Sequence, residues 1–342
     1  MCDQPLLTVA VPTYNGSRTI RSMLDLLLPQ VTDEVEVIVS DNCSTDDTPQ
    51  IVREYQADYP FIRYVRNERN LQADGNFLQC TRIARGRFVM LISDDDIITE
   101  GAIGRILDFL RKNPQVSLAF LESASFRDHY VDIAHCEPTR NVKKPLTDIV
   151  TTDKGVFLDH SITLFGFTSS YVWSRERLMQ IENPEQYFGT YFLQAYLCIR
   201  CSDRPDDVLG IIHGPNIGVG CYGIIGNYDT AEVEGLFWHR MMEDAVAAGY
   251  PRRKMEQFYV WKIIFLCRNS IVRERAVGVK KTHVKNVLKA TWKYPRTWLE
   301  LYPFLLAPPF VCRIALRIVR KRQGRTFSTY VNRPTEKKEE AQ

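Results

Sequence analysis

The sequence predicts an α/β fold with a mostly parallel, doubly wound sheet and a basic helical extension at its C-terminus. Three observations carry this reading. Over the first 121 residues, short apolar runs of strand type alternate with amphipathic helical runs, the pattern of a parallel sheet covered by helices on both faces. Hydrophobic residues make up 45% and charged residues 25% of the 342, which sets aside disorder, collagen and coiled coil as the main architecture. Charge is also unevenly spread. Residues 251–325 hold 19 Lys+Arg against Glu256, Glu274 and Glu300, a balance of +16, whereas residues 1–250 hold 22 against 35 Asp+Glu, a balance of −13. The length suits two domains, or one with an appendage. The expected division is an α/β domain over 1–215, a helical region over 216–290 and a basic, aromatic tail over 291–342.

Each element has its own justification. LLTVAV (6–11) is a buried type of strand. Residues 17–28 follow as a helix, with Ile20, Met23, Leu24, Leu27 and Leu28 on one face and Ser17 as candidate cap. VEVIVS (35–40) is a second strand, and 47–58 a helix with Thr48 as cap and Pro49 at its first position. IRYV (62–65) is a third strand, before a helix over 74–85 that stops at Gly86. RFVMLIS (87–93) is a fourth, and a helix over 100–112 leads to VSLAFLE (116–122). Right-handed crossovers place ligands beyond the carboxyl ends of such strands. Further on, the sequence predicts an apolar-aromatic helix near 187–200, a Gly-rich loop over 214–228, and helices over 231–248 and 255–276.

The nine cysteines are mostly isolated, no secretory signal opens the chain and no run of 18 apolar residues exists. A reducing cytoplasm and no ordinary membrane span are expected. Cys198-x-x-Cys201 has no second pair at zinc spacing and reads as two ordinary cysteines. The GxGxxG at Gly218–Gly223 lacks the strand–helix setting of a dinucleotide loop.

Three polar turns follow three of the strands. The strongest is SDDDII (93–98), where three consecutive carboxylates repel one another. A hard divalent ion, Mn²⁺ or Mg²⁺, would relieve that repulsion and leave positions for a phosphate; the plainer reading is a solvated acidic turn. SDNCSTDDT (40–48) offers Asp41, Asn42 and Ser44 to a base and sugar, besides capping groups for the next helix. VPTYNGS (11–17) offers Tyr14 for stacking, with Pro12 and Asn15 shaping the turn. All three turns would converge on one crevice.

The order and spacing of VPTYN, SDNCSTDDT, NLQADGNF (70–77) and SDDD resemble family 2 glycosyltransferases of the GT-A fold. The likeness covers about 120 residues. Weaker likeness continues through TSSYVWSRERL (168–178) and YFGTYFLQAYL (187–197), and the second of these resembles O-antigen abequosyltransferases. The resemblance implies an inverting, metal-dependent transfer of a sugar from a nucleotide diphosphate sugar to a lipid-linked glycan acceptor, in surface polysaccharide or O-antigen synthesis. It also implies roles for particular residues. Pro12 and Tyr14 would flank the nucleobase, and Asp41 or Asn42 would bond its edge. Asp74 and Asn76 would lie beside the nucleotide, and Asp94 would face the ribose. Asp95, with Asp96 adjacent, would ligate the metal.

Two departures matter. Ser93 stands where the common motif has an acid, so the metal rests mainly on Asp95. Asn42 stands where a second carboxylate is usual. Its amide can donate to cytosine N3, which suggests a CDP-sugar donor. A base is also required, and Thr190 occupies the position of the usual carboxylate; Glu185 is the first candidate, with Glu182, Asp159 and His160 nearby.

The C-terminus combines Trp292, Tyr294, Trp298, Tyr302 and Phe304 with Arg313, Arg317, Arg320, Lys321, Arg322 and Arg325. Aromatics beside a basic helix read as an interfacial membrane anchor, and the protein is expected at the cytoplasmic face of the membrane. The alternatives are a sugar nucleotidyltransferase, whose Gly-rich phosphate loop VPTYNGSRT lacks, and a non-catalytic nucleotide- or nucleic-acid-binding protein. Long apolar runs among the aromatics favour a membrane over nucleic acid.

Overall fold

The computed structural model describes residues 4–126, 147–220, 231–276 and 284–323. The chain divides into two compact units. One comprises residues 1–221 with 240–258, the other 222–239 with 259–342. The boundary expected at 215 therefore falls inside a strand.

In the first unit, β1 (Leu7–Thr13), β2 (Val35–Asp41), β3 (Ile62–Arg66) and β4 (Phe88–Leu91) form a parallel array in the order β3-β2-β1-β4. Val9, Ala10, Val11, Val37, Ile38 and Val39 are all fully buried, as strands covered on both faces require. The connecting helices are α1 (Ile20–Leu27), α2 (Thr48–Asp58) and α3 (Gln72–Ile83). α1 starts three residues after the expected Ser17, whose N–H donates instead to Asp46 Oδ2 at 3.0 Å. Asp46 Oδ1 accepts the N–H of Thr48 at 3.0 Å, and the residue at the cap position of α2 is Asp47.

A short β5 (Ile97–Ile98) and α4 (Ala102–Lys112) follow, then β6 (Val116–Phe126) and β7 (Ile149–Thr151). After α5 (Lys154–Ser161) comes β8 (Tyr171–Ser174), which inserts antiparallel between β4 and β6. α6 (Arg175–Met179) and α7 (Leu193–Arg200) lead to β9 (Val208–Gly220). The full order is β3-β2-β1-β4-β8-β6-β9-β5, with β7 on β9.

Two expectations are corrected. The Gly-rich stretch predicted as a loop from 214 is strand through Gly220, and residues 221–230 lie outside the described residues. Earlier in the same strand, a Cβ at Gly210 would lie 2.6 Å from the Phe109 ring of α4. The helix predicted over 187–200 begins only at Leu193. Gly189 (φ +77°) and Tyr191 (φ +63°) hold left-handed backbone that a helix cannot contain.

α8 (Trp238–Ala247) and α9 (Arg252–Trp261) each run through a unit boundary. The second unit also holds π-helical turns over Ala231–Phe237 and Lys262–Cys267. Its remaining helices are α10 (Arg268–Ala276), α11 (Val284–Thr291), α12 (Pro295–Glu300), α13 (Tyr302–Leu306) and α14 (Pro309–Gln323). Within it Trp238 stacks on Tyr259, centroids 5.7 Å apart, and α14 packs on α10 through Val272, Ala276 and Cys312. No described helix is long and apolar enough to cross a membrane.

Candidate functional site

The three polar turns meet at the carboxyl ends of β1, β2 and β4. Register fixes this: Thr13 pairs with Asp41 across β1 and β2, and Ile92 N–H donates to Ala10 O at 3.0 Å. The turns then interlock. Asn42 N–H donates to Thr13 O at 2.9 Å, Asn15 N–H to Ser44 Oγ at 2.9 Å, and Thr45 N–H to Asn15 Oδ1 at 2.8 Å. Thr13 Oγ1 donates to Asp94 Oδ2. Gly16 is required where it stands, because a Cβ there would lie 2.0 Å from Asp94 Oδ2.

The carboxylates of the acidic turn separate. Burial pushes the Asp94 carboxyl up to about 7; the Thr13 bond opposes this, and the neighbouring charges of Asp95 and Asp46 add to it. Asp95 is half-buried and accepts from Ser93 Oγ. Asp96, expected beside Asp95 at a metal, is instead turned inward. It is 2% exposed and accepts from Ser169 Oγ at 2.6 Å. Ser169 Oγ in turn accepts the N–H of Ser93 at 3.0 Å, so this pair pins the acidic turn to residues 168–170.

A divalent cation fits the remaining donors. Asp95, half-buried, is a hard oxygen donor, with Asp94 beside it on the same turn. Among the described residues no group of three or more His, Cys, Asp or Glu is arranged to hold a metal by protein ligands alone. Such a shell would need the oxygens of a bound diphosphate to complete it.

Asp41, Asn42 and Asn76 occupy the expected crevice wall, but their polar atoms face into the protein. Asn42 is 2% exposed. Its Nδ2 donates to Asn70 Oδ1 (2.9 Å) and Gln72 O (3.1 Å), and its Oδ1 accepts from Leu71 N–H (2.8 Å) and Asn67 Nδ2 (3.2 Å). All four hydrogen-bonding positions of the amide are engaged, so no donor is left for cytosine. Asp41 is fully buried and accepts from Ser44 N–H (2.8 Å) and Tyr64 Oη (2.6 Å). Asn76 bonds Ser40 Oγ (2.7 Å), Ser40 O (2.9 Å) and Asn67 Nδ2 (3.0 Å). These residues hold the turn after β3 against β2. Tyr14, by contrast, is 50% exposed, as a stacking ring must be, while Pro12 lies within β1.

Asp74 reaches the turn before α7, where its Oδ2 accepts the N–H of Gly189 at 2.7 Å; burial pushes its carboxyl up, and this bond opposes the shift. Glu185 sits on the same segment, in the short 3₁₀ turn Pro184–Tyr187. It is exposed and paired with Arg82, which holds its carboxyl below the usual range. The other candidate bases lie elsewhere. Asp159 pairs with Lys254 at 2.5 Å, His160 packs edge-on against His213, and Glu182 lines a cavity of about 370 Å³ with Arg177, Arg200 and Arg204.

Sequence reasoning missed Thr13, Gly16, Asn67, Ser169 and Gln194. Gln194 donates from Nε2 to Gly166 O at 2.6 Å, and its buried Oε1 has no partner among the described residues. A signal existed for Asn67, since a further polar turn, NERN, follows β3 directly.

Residues 8–173 match the family described as Glycosyl transferase family 2. The chain carries a family 2 glycosyltransferase domain of the GT-A fold over that span. Abequosyltransferase RfbV of Salmonella typhimurium is 23% identical over 216 residues, covering 61% of this chain and 65% of that protein. A GalNAc(5)-diNAcBac-PP-undecaprenol beta-1,3-glucosyltransferase of Campylobacter jejuni is 34% identical over 104 residues, 30% of this chain and 34% of that one. The chain thus spans less than two thirds of the length of these curated relatives. Among solved structures, S. aureus TarS in complex with UDP has a TM-score of 0.59 at 17% identity, over 94% of this chain and 92% of that one. A mannosyltransferase, PcManGT from Pyrobaculum calidifontis, in complex with GDP-Man and Mn2+, has a TM-score of 0.53 at 15% identity, over 93% and 88%. Likeness at these identities speaks to the fold.

Proposed function

We propose that this protein transfers a sugar, with inversion, from a nucleotide diphosphate sugar to a lipid-linked glycan acceptor in surface polysaccharide or O-antigen assembly. It would work at the cytoplasmic face of the membrane, held there through its C-terminal segment. The observation that carries the reading is the interlocking of three turns around Asp94 and Asp95 at the carboxyl ends of β1, β2 and β4. Tyr14 supplies a face for the nucleobase and Asp94 a carboxylate for the ribose. The names of the undecaprenol-linked glucosyltransferase and of the abequosyltransferase support the choice of acceptor and pathway class.

Asp95 would hold Mn²⁺ or Mg²⁺, which supplies electrostatic stabilisation to the leaving diphosphate. The chain's own residues position the rest. Thr13 and Ser169 fix the acidic turn. The Asp74–Gly189 bond ties the segment carrying Glu185 to α3. Glu185 is our candidate for the base that takes the acceptor hydroxyl proton; its pairing with Arg82 keeps it ionised. With the Asn42 amide fully engaged, the argument for a CDP-sugar loses its physical basis, and base selection falls to other groups.

Thermal shift with CDP, UDP, dTDP and GDP, each with and without Mn²⁺, tests the core of this. A ligand at about 100 times its Kd adds about 2.7 kcal/mol. A shift that needs both Mn²⁺ and Asp95, and disappears in Asp95→Ala, is expected. No response to any nucleotide would remove the transferase reading. Glu185→Gln is expected to lower kcat by about a hundredfold or more while the nucleotide shift persists. Unchanged turnover would reduce Glu185 to the partner of Arg82.

A further inference from the structure

α14 carries two apolar stripes, where a helix packed on a soluble domain needs one. The first is accounted for: Cys312, Ala315 and Leu316 pack with Val272, Ala276, Phe304 and Ala307. The second is not. Phe310, Val311, Ile314 and Ile318 are 57%, 38%, 51% and 51% exposed. At about 100° per residue they fall within an arc of about 100° of the helix, and the stripe runs for about 12 Å. Arg313 and Arg317, both exposed, border it on one side.

The charge around the stripe is one-sided. Residues 284–323 hold nine Lys+Arg and a single acid, Glu300, which pairs with Arg296 at 3.0 Å. The same unit exposes Trp292 (63%), Trp298 (54%), Leu299 (81%) and Leu306 (57%). Trp298 Nε1 donates to Trp292 O at 2.7 Å, so its indole polar atom is satisfied while the ring faces outward. A nucleic acid would complement the charge but not an aliphatic stripe. A second copy, paired symmetrically, would bring like charge against like. An anionic bilayer complements both the charge and the apolar side chains.

We propose that α14 is an in-plane interfacial helix for anionic lipid. Phe310, Val311, Ile314 and Ile318 enter the boundary between headgroups and acyl chains, and Arg317 lies at the lipid phosphates, while Arg313 Nη1 donates to Ala276 O at 3.3 Å. The inference deepens the membrane-face reading above and takes from it only the expectation that the acceptor is lipid-borne. It names the surface that makes contact and the lipid class it selects.

The test uses the full chain and co-sedimentation with vesicles of pure phosphatidylcholine, or with about 30 mol% phosphatidylglycerol added. Partition onto the anionic vesicles is expected to be about tenfold or more stronger, and weaker at high salt. Ile314→Glu with Ile318→Glu, both half-exposed positions, is expected to lower it by about tenfold or more. Arg317→Gln is expected to lower it about fivefold on anionic vesicles alone. Equal partition of wild type and the double variant, or no partition by either, overturns the proposal. So does a wild-type dimer without vesicles that the double variant converts to monomer, which would give the stripe to a second copy. Circular dichroism of the variants and their Mn²⁺-nucleotide shift are read alongside. Lost vesicle binding with an intact nucleotide response counts against α14 alone, whereas a missing nucleotide response in wild type counts against the transferase reading itself.

Discussion

Asn42 shows how a position that the sequence marks for a ligand can belong to the scaffold. It sits at the end of β2, where nucleotide contacts are expected, yet its amide bonds Asn70, Gln72, Leu71 and Asn67. Asn42→Ala would leave several buried polar groups unpaired, at about 1–3 kcal/mol each before relaxation. We expect a loss of about 3 kcal/mol in denaturant unfolding, with the ranking of nucleotides in the thermal-shift panel unchanged. A changed ranking at unchanged stability would return Asn42 to the base edge. The turns themselves were legible in the sequence, because three polar runs follow apolar strands at similar depth. Which side chains face the crevice was not. That depends on partners 25 to 36 residues away, such as Asn67 for Asn42 and Ser40 for Asn76. The separation of Asp96 from Asp95 likewise hangs on Ser169, 73 residues further along the chain.

Elements were legible where their pattern is local. β1 to β4 and α1 to α4 fall close to their predicted spans, since burial on both strand faces and one apolar helix stripe leave clear periods. β8 was not predicted as a sheet member, because its antiparallel insertion between β4 and β6 is a non-local pairing. β9 was hidden by its own glycines, because Gly214, Gly218 and Gly220 read as loop residues. The segment before α7 was hidden by backbone strain. Tyr191 holds φ +63° and is 53% exposed, a conformation that costs a non-glycine residue about 1–2 kcal/mol and clusters at working sites. Its position beside the Asp74–Gly189 bond gives a clean comparison. Tyr191→Gly is expected to be about 1 kcal/mol more stable than Tyr191→Ala by thermal melting, since only glycine relieves the backbone. Both variants are expected to lose transfer activity if the ring serves the acceptor. Equal stability of the two would mean that this turn is not strained.

At the scale of the whole molecule, the charge pattern has consequences that a net charge of +3 conceals. Residues 251–325 carry +16 and residues 1–250 carry −13. Opposite charge of this size on separate stretches of one chain favours association between copies when screening is weak. The Debye length is about 30 Å at 0.01 M salt and about 8 Å at 0.15 M, so the attraction has reach in the first condition and little in the second. We therefore expect a larger weight-average mass in sedimentation at about 0.01 M salt, falling to a fixed value near 0.15 M. Anionic vesicles should compete with this association, because both use the basic end. Adding phosphatidylglycerol vesicles at low salt is then expected to release soluble oligomers, whereas phosphatidylcholine vesicles should not. A mass that does not change with salt would mean that the acidic stretch is neutralised within each molecule. In that case the basic end would meet a membrane without first having to leave a second copy.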